Sequence, residues 1–321
     1  MGAFVLVLST MAWAGEAEPP APRIWLGGQT GALMGWQAGD RGGPVGQVGA
    51  ELDLRVGWKK AMFRLDLDLN LDPFTGESIY NPLPEWAMLQ VGNERARGRF
   101  GIFSPNIGLE DWDRWNNYLP TWSLNNTFAT PGRFLGAEVA GTLGDFELFG
   151  SIGADLDYAD LPTFAVALGI SGERDTWATW SGLVAYPTDG FFGAYLAFDF
   201  YPLDQLWLSY DGGVGLSGTA PWWTNQVVVN ILPEAVVQPV VRGEYIFDPG
   251  GEALGGAEEG VAMGAVSVGL RSQPLEMMSV MVEAKGVFWE DSFSPGVHVS
   301  LDFLRPEPGM YEAPDPRAPD L

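Results

Sequence analysis

Residues 51–58, ELDLRVGW, and residues 63–71, FRLDLDLNL, alternate apolar and polar side chains along their whole length. Successive side chains of a β-strand point to opposite faces, so each stretch would have one apolar face and one charged face. On an α-helix the same acidic residues would be scattered around the cylinder. Both stretches are therefore predicted to be β-strands that separate two very different surroundings.

The same alternation recurs along most of the chain and predicts about sixteen strands. They cover approximately residues 23–36, 46–57, 61–71, 85–92, 96–103, 133–141, 145–157, 162–171, 175–186, 190–201, 204–216, 223–232, 235–247, 260–271, 276–288 and 295–304. Many of them have ten or more residues, whereas strands of soluble sheets commonly have about five or six. A tilted strand that crosses a bilayer needs about 9–11 residues, so these lengths favour a membrane barrel.

The lengths of the connections depend on their position in the chain. Those after even-numbered strands have two or three residues, whereas the long ones follow odd-numbered strands and cover 37–45, 72–84, 104–132, 248–259 and 289–294, with 158–161 and 187–189 as short exceptions. Outer-membrane barrels combine an even strand number with short periplasmic turns and long outer loops. Residues 15–304 are therefore predicted to form an all-β fold, a single antiparallel transmembrane β-barrel of about 16 strands. A soluble β-sandwich is the alternative.

The composition excludes several classes of function. The 321 residues carry a net charge of −24, and a chain with this acid surplus would not bind nucleic acid through its phosphates. There is no Cys, and His298 is the single histidine, which excludes Cys-ligated metals and chemistry with paired imidazoles. No phosphate loop, dinucleotide fingerprint or zinc motif occurs. We therefore expect no enzyme activity, no cofactor and no metal site.

Both ends of the chain differ from the barrel region. Residues 1–14 are predicted to be a secretory signal peptide, because FVLVL at 4–8 is a short apolar core and Ala12-Trp13-Ala14 is a small-residue cleavage motif. Residues 305–321 are rich in proline and are predicted to form a periplasmic C-terminal tail. Between the two ends, no stretch reaches the roughly 18–20 continuous apolar residues of a membrane-spanning helix.

Tryptophan and tyrosine residues cluster near the ends of the predicted strands. Amphipathic rings at that level form the two aromatic girdles of outer-membrane barrels. The candidates are Trp36, Trp58, Tyr80, Trp86, Trp177, Tyr186, Tyr201, Trp222, Trp223 and Trp289. Ordinary core residues or sugar-binding rings are the alternative for each of them.

Two segments resemble a known family. The run GRFGIFSPNIGLE at 98–110, with the Asn/Ser-rich stretch that follows it as far as Pro131 and Gly136, resembles the OmpL-like β-barrel porin family. The segment VRGEYIFD at 241–248 is similar to a strand of that family. The resemblance covers roughly residues 90–305 and implies an outer-membrane porin. This chain departs from the family in its large number of acidic residues and in continuing beyond Phe303. Residues 296–303 still resemble the assembly signal of a last strand.

Candidate site residues lie in the longest loop and on the charged faces of the strands. Loop 104–132 has about 29 residues, and connections of this length are usually functional or disordered. We expect it to fold inward and constrict the pore, with its acids facing basic wall residues; a loop over the barrel mouth is the alternative. The loop candidates are Glu110, Asp111, Asp113 and Arg114, and the wall candidates are Arg97, Arg99, Arg242, Glu244, Asp66, Asp68, Glu283 and Lys285.

These patterns and the resemblance predict a porin of the bacterial outer membrane, through which small hydrophilic solutes or ions diffuse passively. The acid surplus favours cations. Two alternatives remain: a channel specific for a sugar or another small solute, and a secreted or surface β-rich adhesin. The expected partners are outer-membrane lipids and lipopolysaccharide, the barrel-assembly machinery and the solutes themselves, with self-association into a homo-oligomer left open.

Overall fold

The computed structural model describes residues 23–38, 43–74, 84–93, 95–108, 119, 121, 124, 131–157, 162–250, 261–275, 278–289 and 292–305. The predicted signal peptide at 1–14 lies outside the described residues, and so does the predicted tail apart from Arg305. Within the described ranges, no helix is long and apolar enough to cross a membrane.

Sixteen β-strands follow one another along the chain, close to the places that the alternation predicts. They are β1 (Arg23–Gln37), β2 (Gly43–Trp58), β3 (Ala61–Leu71), β4 (Trp86–Asn93), β5 (Ala96–Phe103), β6 (Phe134–Leu143), β7 (Phe146–Asp155), β8 (Thr163–Arg174), β9 (Trp177–Tyr186), β10 (Phe191–Leu203), β11 (Leu206–Ser217), β12 (Ala220–Ile231), β13 (Val237–Asp248), β14 (Val261–Leu275), β15 (Met278–Trp289) and β16 (Ser292–Arg305). Their lengths range from 8 to 16 residues, and most reach the length that a tilted strand needs to span a bilayer.

The strands form one closed antiparallel sheet. Each strand pairs with its sequence neighbours, and β1 pairs with β16 from Gly28 opposite Arg305 to Gln37 opposite Gly296. Because the first and last strands meet, the sheet has no lateral edge at which a row of backbone N–H and C=O groups would lack partners. The prediction of a single antiparallel barrel is confirmed.

Three connections after odd-numbered strands are shorter than predicted. Residues 43–45 of the predicted connection 37–45 belong to β2, which begins at Gly43. Strands β11 and β12 are joined by residues 218–219, and β15 and β16 by residues 290–291, because strand pairing continues to the last residue before each turn. The expected longer loop at 289–294 is therefore wrong, since most of it belongs to strands. The longest connections, 72–85, 104–133 and 249–260, still follow odd-numbered strands.

Neighbouring residues of one strand face opposite surroundings. On β6, Val139 is 68% exposed and the adjacent Glu138 is 1% exposed; on β16, Val299 is 45% exposed and the adjacent Ser300 is fully buried. The exposed positions carry Val, Leu and Phe throughout the strands, whereas the enclosed positions carry most of the acids. The outer surface is therefore apolar, which suits lipid, and the charged faces line the interior as the alternation predicts.

The aromatic residues divide between the two surfaces. Trp36 and Trp58 are exposed on the outside near strand ends, as the girdle prediction requires. Tyr201 and Trp289 are also exposed near strand ends, but they lie on the inward side: the ring of Tyr201 is 6.2 Å from that of the buried Trp207, and Trp289 is directly opposite the buried Met263. Tyr186 and Trp222 are wrong as girdle residues: they are 3% and 1% exposed and lie in the interior cluster, against which Trp86 also packs. The strand register gives the reason, because Trp222 lies on the same face as the buried Thr224 and Gln226. Tyr80 lies outside the described residues.

The interior surface has an apolar part and a charged part. Large buried apolar side chains lie mainly on β5–β12, and most of them form one cluster, in which the rings of Phe191 and Trp222 stack with their centroids 5.4 Å apart. Charged side chains dominate the interior of β13, β15, β2 and β3. The proportion of charged to apolar side chains therefore differs around the interior wall.

Candidate functional site: the barrel interior and the loop after β5

The loop between β5 and β6 contacts the interior wall soon after it leaves β5. The backbone N–H of Gly108 donates a hydrogen bond to the carbonyl oxygen of Trp180 on β9, at 3.2 Å. The side chain of Ile107 is 4% exposed and lies against Gly182, where a Cβ atom would come within 2.5 Å of the Ile107 Cδ1 atom. The absence of a side chain at Gly182 thus makes room for the loop.

Further along the loop, Leu119 contacts the opposite side of the barrel. It is 1% exposed and packs in a cluster with Trp207, Val228 and Val240 of β11, β12 and β13. A Cβ atom at Gly269 of β14 would come within 2.4 Å of the Leu119 Cδ2 atom. Since β14 is seven strands from β5 in the closed barrel, Leu119 lies far around the wall from the strand that precedes the loop.

Thr121 is held by charged groups of that opposite wall. Its hydroxyl donates a hydrogen bond to Glu283 Oε2 at 2.7 Å, and its backbone N–H reaches the same oxygen at 3.2 Å. Arg242 donates from Nη1 to the Thr121 carbonyl oxygen at 2.9 Å and from Nη2 to the hydroxyl at 3.0 Å. Lys285 Nζ lies 3.5 Å from that hydroxyl. One loop residue therefore contacts three charged side chains of β13 and β15.

Four of the wall candidates, two on β13 and two on β15, form one cluster. Arg242 Nε lies 2.7 Å from Glu244 Oε1, and Arg242 Nη2 lies 3.1 Å from Glu283 Oε1. Lys285 Nζ lies 3.9 Å from Glu244 Oε2. All four are nine-tenths buried or more, so their mutual attraction is weakly screened by solvent. The cluster is electrically balanced, and three of its members contact Thr121.

The basic candidates on β5 have their partners on neighbouring strands. Arg99 donates to Glu138 of β6 through Nε, at 2.7 Å, and also through Nη2, and both side chains are buried. Arg97 pairs with Glu147 of β7 close to the turn end of the barrel. The sequence predicts that loop acids face these arginines, but Glu110, Asp111, Asp113 and Arg114 lie outside the described residues.

The candidates on β3 are placed at the interior wall. Asp66 is fully buried and pairs with Arg64, two residues earlier on the same face. The backbone of Asp68 belongs to β3 opposite Glu51 of β2, and its side chain is outside what the structure describes. These residues lie on a different arc of the wall from the cluster that holds Thr121.

Sequence reasoning missed the residues that fasten the end of the loop. Asp155 at the end of β7 accepts hydrogen bonds from the Tyr186 hydroxyl, at 2.6 Å, and from the Gly132 backbone N–H, at 3.3 Å. Arg133 donates to Asp157 from its backbone N–H and from Nε, both at 2.8 Å. The two aspartates fall in the predicted strand 145–157, but alternation alone gives no indication that they bind a segment more than twenty residues away.

The barrel is similar in structure to known outer-membrane proteins. The chain matches OmpF of Salmonella typhi with a TM-score of 0.68 and 10% identity, over 88% of this chain and 97% of that one. The fold is that of outer-membrane porins. It also matches the outer-membrane channel DcaP of Acinetobacter baumannii with a TM-score of 0.64, 12% identity and coverage of 91% and 100%. It matches a trimer form of Vibrio cholerae OmpT with a TM-score of 0.61 and 11% identity, over 89% of this chain and 100% of that one.

Comparisons of sequence give no further relative. No protein-family model matches the chain, and no curated protein matches it. The more specific resemblance to the OmpL-like family therefore stays a prediction from the two segments that carry it. At 10–12% identity, the solved structures share the architecture of the chain.

Proposed function

We propose that this protein is a porin of the bacterial outer membrane, through which small hydrophilic solutes or ions diffuse without any reaction. The observation that supports this most directly is a closed sixteen-strand barrel with an apolar outside and a charged interior. A sheet can cross a bilayer only when it closes, because hydrocarbon offers no partner to backbone groups. A soluble adhesin would have no reason to expose Val, Leu and Phe all around its circumference.

Loop 104–132 is proposed as the constriction of this channel. The contacts of Ile107, Leu119 and Thr121 with wall residues far from β5 support a path across the interior. Many inward-facing polar side chains at mid-barrel are less than a tenth exposed, among them Gln226 and Ser267 at 1% each. Barrels of 16–18 strands usually leave a wide aqueous channel. A passage narrowed in this way would admit small solutes only.

We also propose a cation preference, which the charges inside the barrel support. Among the described residues, twelve Asp and Glu side chains are buried, against four Lys and Arg. Rings of like charge in a narrow passage favour ions of the opposite sign. The imbalance remains after the cluster of Arg242, Glu244, Glu283 and Lys285 is set aside, because that cluster is neutral.

Planar bilayers test the proposal. The purified full-length protein should give stepwise ohmic conductance, and detergent carried through a mock purification should give none. Under a KCl gradient, the reversal potential should have the sign of a potassium-selective pore. Absence of conductance steps from folded, heat-modifiable protein would refute the channel, whereas a chloride-selective potential would refute the cation preference alone.

The remaining partners are part of the same proposal. Outer-membrane lipid and lipopolysaccharide would contact the apolar outer surface, and the barrel-assembly machinery would insert the chain. Self-association is supported by the trimer form of the Vibrio cholerae OmpT structure. Chemical cross-linking in native membranes would show it as a ladder of bands.

A further inference from the structure

Three carboxylates meet on the interior wall at β2 and β3, away from the cluster that holds Thr121. Carboxylate oxygens of Glu51, Asp53 and Asp66 all lie within 4.8 Å of one another. The three residues are 9%, 6% and 0% exposed. A group of acids this close and this enclosed repels itself unless a positive charge lies among its members.

The register of β2 against β3 places like charges directly opposite each other. Asp53 lies directly opposite Asp66, and in the next inward-facing pair Arg55 lies directly opposite Arg64. Like charges directly opposite each other destabilise an antiparallel pair. The observed register therefore sets two aspartates against each other and, beside them, two arginines against each other.

The neighbouring donors satisfy only part of the carboxylate group. Arg64 binds Asp66 through Oδ2, and the Gln29 side-chain amide donates to Glu51 Oε2. Oδ1 of Asp53 and Oδ1 of Asp66 are buried and have no hydrogen-bond partner among the described residues. Buried carboxylate oxygens without a donor are costly, and both belong to the carboxylates that meet in the cluster.

We propose that Glu51, Asp53 and Asp66 bind a divalent cation, with calcium as the ion that fits best. Calcium takes six to eight oxygen ligands in flexible geometry, and three carboxylates with water from the lumen can supply them. Magnesium demands near-ideal octahedral geometry and is usually bound through only one or two carboxylates. The ion lies between the opposed Asp53 and Asp66 and offsets their repulsion, so it fastens β2 to β3.

Terbium luminescence tests the proposal on the full-length protein in detergent without lipopolysaccharide. Terbium replaces calcium at oxygen sites and emits when a nearby tryptophan is excited. Trp86 lies opposite Asp66 in the β3–β4 register, and the Arg64 guanidinium lies 4.3 Å from its ring centroid. Saturable emission that calcium reverses is expected, and Trp86→Phe should weaken the emission without weakening calcium binding by calorimetry.

The variants Asp53→Asn and Asp66→Asn should each bind terbium at least tenfold more weakly. Asp211→Asn is the matched control, since Asp211 is a buried interior aspartate on β11, far around the barrel. Heat-modifiable migration shows which variants are folded. If the Asn variants do not fold, unfolding of the wild type decides: calcium should raise the melting temperature and a chelator should lower it. Failure of calcium to bind the wild type, or unchanged binding by folded Asp53→Asn, would overturn the proposal.

Discussion

Replacement of Thr121 by valine isolates the contact between the loop and the charged wall. Valine has nearly the same shape but no hydroxyl, so it loses the 2.7 Å hydrogen bond to Glu283 and the 3.0 Å bond from Arg242, whereas the two backbone bonds remain. Hydrogen bonds to charged groups contribute about 1.5–3 kcal/mol each. Water can hydrate Glu283 and Arg242 once the loop moves away, which offsets part of this loss. We therefore expect the loss of the two hydrogen bonds together to destabilise the attached loop by about 1.5–3 kcal/mol.

This loss should appear as movement of the loop. Every 1.4 kcal/mol is a factor of about ten in an equilibrium, so the detached state of the loop should become roughly 10- to 100-fold more populated. Single-channel recordings should show more frequent excursions to higher conductance.

The control for this experiment is Thr224→Val on the inner wall. The Thr224 hydroxyl accepts a hydrogen bond from the Gly213 backbone N–H of the adjacent strand, at 3.1 Å, so its loss leaves the loop attached. Both variants should fold as the wild type does. Channel noise in Thr121→Val that equals that of the wild type and of Thr224→Val would refute the reasoning that this residue fastens a constriction.

Two further predictions concern stability, read from urea unfolding in detergent or lipid. Arg99→Met leaves a buried carboxylate without its partner and should cost about 3–5 kcal/mol, whereas Arg174→Met removes one member of an exposed ion pair and should cost less than about 1 kcal/mol; equal losses would contradict the buried placement. Val139 lies near the middle of the outer face of β6, so Val139→Arg should lower the free energy of unfolding by about 2–4 kcal/mol. Leu143→Arg at the end of that strand should lower it by about 0–1 kcal/mol. A larger loss for Leu143→Arg than for Val139→Arg would contradict the placement of Val139 at the bilayer centre.

The alternation of residues carried most of the fold prediction, because in a barrel the face of each residue is a local property. A residue such as Val139 must face lipid if its neighbour Glu138 faces inward, whatever lies across the barrel. The prediction failed where a strand began earlier than its pattern suggested. Trp222 is the example: a start at residue 223 made it a residue of the connection, but it belongs to β12 and points inward.

The site was less accessible to sequence reasoning, because it depends on contacts between distant segments. The sequence named Arg242, Glu244, Glu283 and Lys285 among the wall candidates, and the structure joins these four into one cluster. Nothing in the pattern indicated Thr121 as the loop residue that they hold. The sequence also did not predict that Gly182 and Gly269 leave room for loop side chains, because a glycine within a strand can have several explanations.

The sequence by itself determined that the chain has sixteen two-faced strands, since side chains that alternate along a strand need no knowledge of its neighbours. Only the tertiary structure decided which charges oppose each other, because that depends on how far each strand slides along the next. It thereby set Asp53 against Asp66 and brought the loop from β5 across to Arg242. Strand register and barrel closure are properties of the whole sheet, and no single segment contains them.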